Sequence, residues 1–283
     1  MVVKICLHLE PYNNRDINTI VEDLKYIHNQ GYTSHPAYYH ISTNSNLLPV
    51  VYVYDSYRIK SSEWEKILQS NDQQKTIRNK IYNAYLIGLL LDMDDCRTLY
   101  ESGFNGGYTY FIGNGVSTAS SPDNWNYLLE QCTKYNVTFY PSIGPGYDDL
   151  SVRPWNKPAT NSRDHGLTYV KLFNKAYNRK PPLSTSSSPL TTSPAIGGLG
   201  IVSFNEWHEG TQIEPAIPYR WNYFMKSKIY QDYLPYSPEF YLRLTRLLIN
   251  QYEGNVDDDS LPRKFMETSK HEMEQLNTLM KIS

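Results

Sequence analysis

Two glutamates three residues apart, Glu206 and Glu209, stand in the segment Ser203-Phe204-Asn205-Glu206-Trp207-His208-Glu209-Gly210-Thr211-Gln212-Ile213-Glu214. The segment begins as an apolar run and turns polar, so both carboxylates can face one pocket where the backbone bends after a strand. Cleavage of a glycosidic bond needs two carboxyl groups flanking that bond, about 5–10 Å apart according to mechanism. One of them must stay protonated near neutral pH, which a neighbouring negative charge or an apolar wall such as Trp207 would favour. The same residues also fit a capping and salt-bridge cluster in a loop, and spacing alone does not choose. His208-Glu209 invites a zinc reading, but His-Glu-x-x-His needs a second histidine where Gln212 stands. Gly-x-Gly-x-x-Gly, Walker and Gly-x-Ser-x-Gly patterns do not occur. Nucleotide binding and a serine nucleophile therefore have no support, and no cofactor is expected.

Other candidates carry weaker signals. Glu10-Pro11-Tyr12 closes an apolar run, where a carboxylate can hydrogen-bond sugar hydroxyls or cap the next helix. His35 lies in the loop His35-Pro36-Ala37-Tyr38-Tyr39, where a lone histidine is as readily structural. Asp148 and Asp149 are rival carboxylates, although Gly144-Pro145-Gly146-Tyr147-Asp148-Asp149 is also ordinary turn chemistry. Arg153-Pro154-Trp155 offers a guanidinium and a stacking face, or a packed loop.

The elements that must position these residues follow from hydrophobic pattern. Short apolar runs at 2–9, 48–54, 82–91, 106–111, 137–143 and 199–204 read as strands. Helical spacing is expected over 16–30, from Ser61 or Ser62, over 93–102, 122–135 and 163–178, and over 238–252. The alternation means parallel βαβ units covered on both faces. Polar and aromatic clusters recur where strands end: Glu10, Asp55, Tyr110, Asp148 and Asn205 with its glutamates. A (β/α) barrel carries its active site on that face, and a doubly wound sheet places ligands there too. Residues 181–198 are rich in Pro, Ser, Thr and Gly and read as a flexible insertion. Residues 255–283 read as a charged, partly ordered tail.

Composition excludes some functions. The chain has 283 residues and a formal charge of −2, so it lacks the basic excess that nucleic-acid binding requires. Tyrosine is the outlier, with 26 against 8 Phe and 5 Trp; its flat face and edge hydroxyl suit sugars, as well as plain strand propensity. Cys6, Cys96 and Cys132 match no zinc pattern and no disulfide framework. The N-terminus reads as a strand and not as a targeting signal, and no apolar run approaches the ~20 residues that span a bilayer. One glycosylation triplet, Asn136-Val137-Thr138, precedes an expected buried strand.

Taken together, the segments His8-Leu9-Glu10-Pro11-Tyr12, His35 to Tyr39, Tyr52 to Tyr57, Gly103 to Phe111, Gly144 to Tyr147, Arg153 to Asn156 and Ser203 to Glu214 resemble glycoside hydrolase family 99, the endo-acting α-mannosidases. They run in family order over most of the chain. The resemblance implies a (β/α)8 TIM barrel over residues 1–254 and retention of anomeric configuration. It implies Glu206 as general base on the substrate's own 2-hydroxyl and Glu209 as general acid and then base, by way of a 1,2-anhydro sugar. Glu10, Tyr12, His35, Tyr110, Asn205, Arg153 and Trp155 would bind substrate. Implied partners are glucosylated high-mannose N-glycans on glycoproteins, and the implied location is the Golgi lumen, with a membrane anchor upstream. The alternative is an inactive glycan-binding module that keeps the pocket. About six βα units are visible, and family members carry catalytic-domain sequence before the first strand. The barrel is therefore expected to be incomplete at its N-terminal side, unless weak strands hide in 32–47 or 212–236.

Overall fold

The computed structural model describes residues 3–43, 46–112, 115–155, 159–179, 196–215, 231, 233–256, 258 and 260–282. These divide into two compact units, the first built from residues 1–109, 123–140 and 196–198, the second from 110–122, 141–195 and 199–283.

The first unit is a parallel sheet with helices between its strands. Its elements are β1 (Leu7–Leu9), α1 (Ile17–Asn29), β2 (His40–Ser42), β3 (Leu47–Val53), α2 (Ser61–Leu68), β4 (Tyr85–Leu89), α3 (Asp95–Ser102), β5 (Gly106–Tyr108), α4 (Trp125–Lys134) and β6 (Thr138–Tyr140). The strand order is β1-β3-β4-β5-β6, with β2 added antiparallel to β3. Helix α1 starts where the pattern places it. Asp16 accepts hydrogen bonds from Asn18 N and Thr19 N while the Thr19 hydroxyl reaches back, a capping box, and Ile20, Leu24 and Ile27 form the buried stripe. Strand β4 is buried at every position, as a strand covered on both faces must be. Gly88 makes that possible, because a Cβ there would lie 2.5 Å from Leu99 of α3.

Two features depart from expectation. Cys96 and Cys132 form a disulfide, with Cα atoms 4.8 Å apart. Their separation of 36 residues means nothing in sequence; it becomes a pairing because α3 and α4 follow consecutive strands and lie side by side. Strand β2 falls in the stretch 32–47 left open for a weak strand, but its bounds were not read, since three residues beginning with a histidine give no run.

The second unit holds β7 (Ser142–Ile143), α5 (Leu167–Tyr177), β8 (Gly200–Ile201), α6 (Phe240–Tyr252) and α7 (Leu261–Ile282). Strands β7 and β8 pair in parallel. All six expected strand positions are thus occupied, the fifth divided at Pro141 into β6 and β7. The tail expected to be partly ordered forms the 22-residue helix α7. Phe265 of α7 stacks on Phe240 of α6, and Met266 is buried; an apolar pair in a charged sequence was too sparse a signal. Of the expected insertion at 181–198, only 196–198 lie within the described residues, and most of 212–236 lies outside them. No helix among the described residues is long and apolar enough to cross a membrane.

Candidate active site

After β8 the chain enters a loop that closes on itself. Ser203 N donates to Thr211 O (2.9 Å), Ile213 N to Ser203 O (3.1 Å) and Glu214 N to Phe204 O (2.9 Å). The Ser203 and Thr211 hydroxyls meet at 2.7 Å, and the Trp207 indole donates to Glu214. Residues 205–210 are held between these clasps. Glu206 caps a 3₁₀ turn at Trp207–Glu209, accepting from His208 N, and Gly210 ends the turn at φ 63°, a left-handed conformation that glycine adopts without strain.

The two glutamates meet different surroundings. Glu206 is half-buried, whereas Glu209 is only 8% exposed. Arg153 Nη1 donates to Glu209 Oε1 (3.0 Å) and to the buried Asp149 Oδ2 (3.3 Å). Glu209 Oε2 is buried with no hydrogen-bond partner among the described residues. Burial pushes the Glu209 carboxyl above its ordinary pKa; the Arg153 guanidinium opposes the rise, and Glu206 and Asp149 add to it. Burial prevails over the ion pair because a guanidinium on a half-exposed side chain is partly screened by water. The same cluster raises the Tyr147 hydroxyl, first by burial and then through Glu209 and Asp149.

The backbone that carries this cluster is tightly fixed. Asp148 N donates to Glu209 O (2.8 Å), and Tyr147 and Asn161 exchange both backbone hydrogen bonds at 2.8 Å. A Cβ on Gly144 would lie 2.2 Å from Val202 O, and one on Gly146 would lie 2.7 Å from Asn161 O, so both glycines are close-approach positions. Arg163, 5% exposed, donates from Nη2 to Gly210 O (2.9 Å) and Gln212 O (2.8 Å). Its guanidinium lies over Tyr241 and Tyr233, 4.5 and 5.2 Å from their centroids. Sequence reading missed Arg163 because nothing in Asn161-Ser162-Arg163-Asp164 marks a buried cation.

The expected substrate residues fall into three groups. Arg153 joins Glu206 and Glu209, although as the ion-pair partner of Glu209. Tyr110 is half-buried against Ile112, Tyr147 and Val202, next to the Tyr147 hydroxyl cluster. Asn205 is exposed at the loop tip, and Trp155 is 78% exposed. Glu10, Tyr12 and His35 belong to the first unit. Glu10 Oε1 lies 2.7 Å from His8 Nδ1, and His8 Nε2 lies 2.7 Å from the Tyr108 hydroxyl, an acid–imidazole–phenol chain at the C-terminal ends of β1 and β5. The rings of Tyr52 and Tyr54 lie 6.3 and 5.5 Å from the imidazole. His8 and Tyr108 were not picked out from sequence, although His8 and Glu10 stand two apart, as same-face residues on a strand do. The Tyr12 hydroxyl donates to Asp23 (2.6 Å). His35 lies in a loop apart from Glu10 and Tyr12. Ile5 N donates to Ala37 O, and the Lys4 ammonium to Pro36 O. Its loop therefore sits at the N-terminal end of β1, the end opposite Glu10, because the loop must feed the short antiparallel β2.

The loop after β8 thus carries one buried carboxyl, tied through a single oxygen to Arg153, and a second, half-buried carboxyl three residues before it. The sequence profile of Glycosyl hydrolase family 99 matches residues 1–254, and the chain belongs to that family. It is 42% identical over 245 residues to the mouse protein named glycoprotein endo-alpha-1,2-mannosidase, covering 86% of this chain and 48% of the relative. It is 39% identical over 245 residues to the human glycoprotein endo-alpha-1,2-mannosidase-like protein, covering 86% and 49%. The chain thus spans about half the length of the curated relatives it matches. A solved GH99 endo-alpha-mannosidase from Bacteroides thetaiotaomicron, in complex with bis-tris-propane, superposes with a TM-score of 0.75 at 34% identity, over 89% of this chain and 71% of that one. The fold is accordingly that family's (β/α) barrel, represented among the described residues by six parallel strand positions.

Proposed function

We propose that the chain belongs to an endo-acting, retaining α-1,2-mannosidase that trims glucosylated mannose arms of N-glycans. The observation that carries this reading is the unequal pair, a buried Glu209 with one oxygen tied to Arg153 and the other free, beside a half-buried Glu206. Burial favours the protonated form of Glu209, and among the described residues Oε2 is the oxygen left to deliver a proton. In the first step Glu206 takes the proton of the substrate's 2-hydroxyl. That oxygen attacks the anomeric carbon, the glycosidic bond breaks, and Glu209 protonates the departing oxygen. The sugar is left as a 1,2-anhydride. In the second step Glu209 removes a proton from water, the water oxygen attacks the anomeric carbon, and the epoxide oxygen regains its proton from Glu206. Two inversions give net retention. A carboxylate nucleophile, the commoner route, is not required.

Glu10, Tyr12, His35, Tyr110, Asn205, Arg153 and Trp155 are the proposed substrate residues. The disulfide and the glycoprotein substrate favour an oxidising lumen of the secretory pathway, the Golgi in particular. The inactive glycan-binding alternative is not favoured, since both carboxylates are retained and differentiated.

The test is incubation with a glucosylated high-mannose glycan, which should release a glucosyl-mannose disaccharide. Glu209→Gln should abolish release from the natural glycan while sparing the first step on an activated aryl mannoside, whose leaving group needs little protonation. Equal losses on both substrates would remove Glu209 from the acid role.

A further inference from the structure

The 283 residues contain one Asn-x-Ser/Thr triplet, Asn136-Val137-Thr138, and the proposed chemistry does not use it. It spans the turn between α4 and β6. Tyr135 N donates to Gln131 O, Asn136 N to Thr133 O and Val137 N to Cys132 O, so backbone bonds alone define the turn. Asn136 is exposed there at φ 55°, in the left-handed region that asparagine tolerates better than most residues. Among the described residues its carboxamide takes no hydrogen-bond partner. Beside the turn the rings of Tyr100 and Tyr135 lie 5.8 Å apart, with Tyr100 51% exposed, which leaves an aromatic face for a first sugar residue.

We propose that Asn136 is an N-glycosylation site. Asn136 Nδ2 forms a bond to the anomeric carbon of an oligosaccharide carried on a lipid pyrophosphate. The anomeric carbon–oxygen bond breaks with its electron pair passing to the pyrophosphate, and the amide gives up one proton to the transferase. The fold orders the event in time. In the finished structure the Tyr85 hydroxyl donates to Thr138 Oγ1 (2.9 Å), Thr138 N donates to Asn105 O, and Val137 is buried. The hydroxyl that the triplet needs for recognition is thus occupied once β6 docks, and Cys132 is already tied to α3. Modification precedes both steps. The glycan then lies at the N-terminal end of β6, whereas barrel chemistry is carried where strands end.

This inference rests on the proposed lumenal location, and its test separates the two. The chain, led by a cleavable secretion signal, is expressed in a eukaryotic cell, and both secreted and retained material are digested with peptide N-glycosidase. One glycan should be released, position 136 should then read as aspartate, and Asn136→Gly should abolish the shift. Glycine suits φ 55°, so that variant should fold, and Thr138→Ser should still be modified. Chain carrying the Cys96–Cys132 disulfide but unmodified at Asn136, in either fraction, would overturn the site. Free thiols at Cys96 and Cys132 in that lumen, with Asn136 modified, would uphold the site and remove the disulfide argument for the compartment.

Discussion

Burial pushes the Glu209 carboxyl above its ordinary pKa, and Arg153 pulls the other way. The pH profile should report that contest. A general acid works only while protonated, so activity falls as pH rises through the Glu209 pKa, which sets the basic limb of kcat/KM. Arg153→Gln removes the opposing cation, so the pKa rises further and the basic limb moves to higher pH. An unmoved or lowered limb in the kcat/KM profile would show that another group sets it. Glu206 has its own test. If it deprotonates the 2-hydroxyl, a 2-deoxy or 2-fluoro mannoside lacks the internal nucleophile and should not turn over. A glycosyl ester trapped on Glu206, read by mass spectrometry, would restore covalent catalysis. At this scale type and spacing brought the two glutamates forward as candidates, with a capping and salt-bridge cluster as the other reading, and the family resemblance supplied their roles. Neither exposed which would be buried, since that depends on Arg153 and Asp149 arriving from another loop.

At the scale of elements, the strand that carries the catalytic loop depends on close approach. Gly144 follows β7, and a Cβ there would strike the Val202 carbonyl at 2.2 Å. Backbone cannot yield as a side chain can, so Gly144→Ala should destabilise the protein by about 2–3 kcal/mol. Gly210→Ala meets Asp148 N only at 3.3 Å, and it should cost about 1 kcal/mol, mostly for the left-handed backbone. Denaturant melts of the two variants give the order, and a Gly144 variant as stable as the Gly210 variant would contradict the packing argument. All six parallel strand positions were legible as apolar runs between turn residues, and α1 was legible by its apolar stripe. Strand β2 was legible only as a weak strand possible within 32–47, because three residues paired at an edge need no hydrophobic pattern. Helix α7 was underestimated, because its order comes from Phe265 and Met266 meeting α6 and not from its own periodicity.

The whole chain raises the question of what becomes of β1. It stands at the end of the strand order, with β3 on one side. A strand in a parallel sheet is normally buried on both faces, as β4 is, yet β1 has no fully buried residue. Just before it, Val3 and Ile5 are 72% and 57% exposed. An uncovered apolar edge is a template for pairing with another chain. The missing burial also matters energetically, because a domain has only ~5–15 kcal/mol of net stability and each fully buried aliphatic side chain contributes ~1.5–3 kcal/mol. The exposed edge at β1 should therefore favour self-association and lower the cooperativity of melting. Ile5→Lys places a charge on the edge without touching the backbone bonds that Ile5 makes to residues 37 and 39, so it should shift sedimentation velocity profiles toward monomer. A wild-type chain that sediments as a monomer and melts in one cooperative step would show that β1 is stable as an open edge.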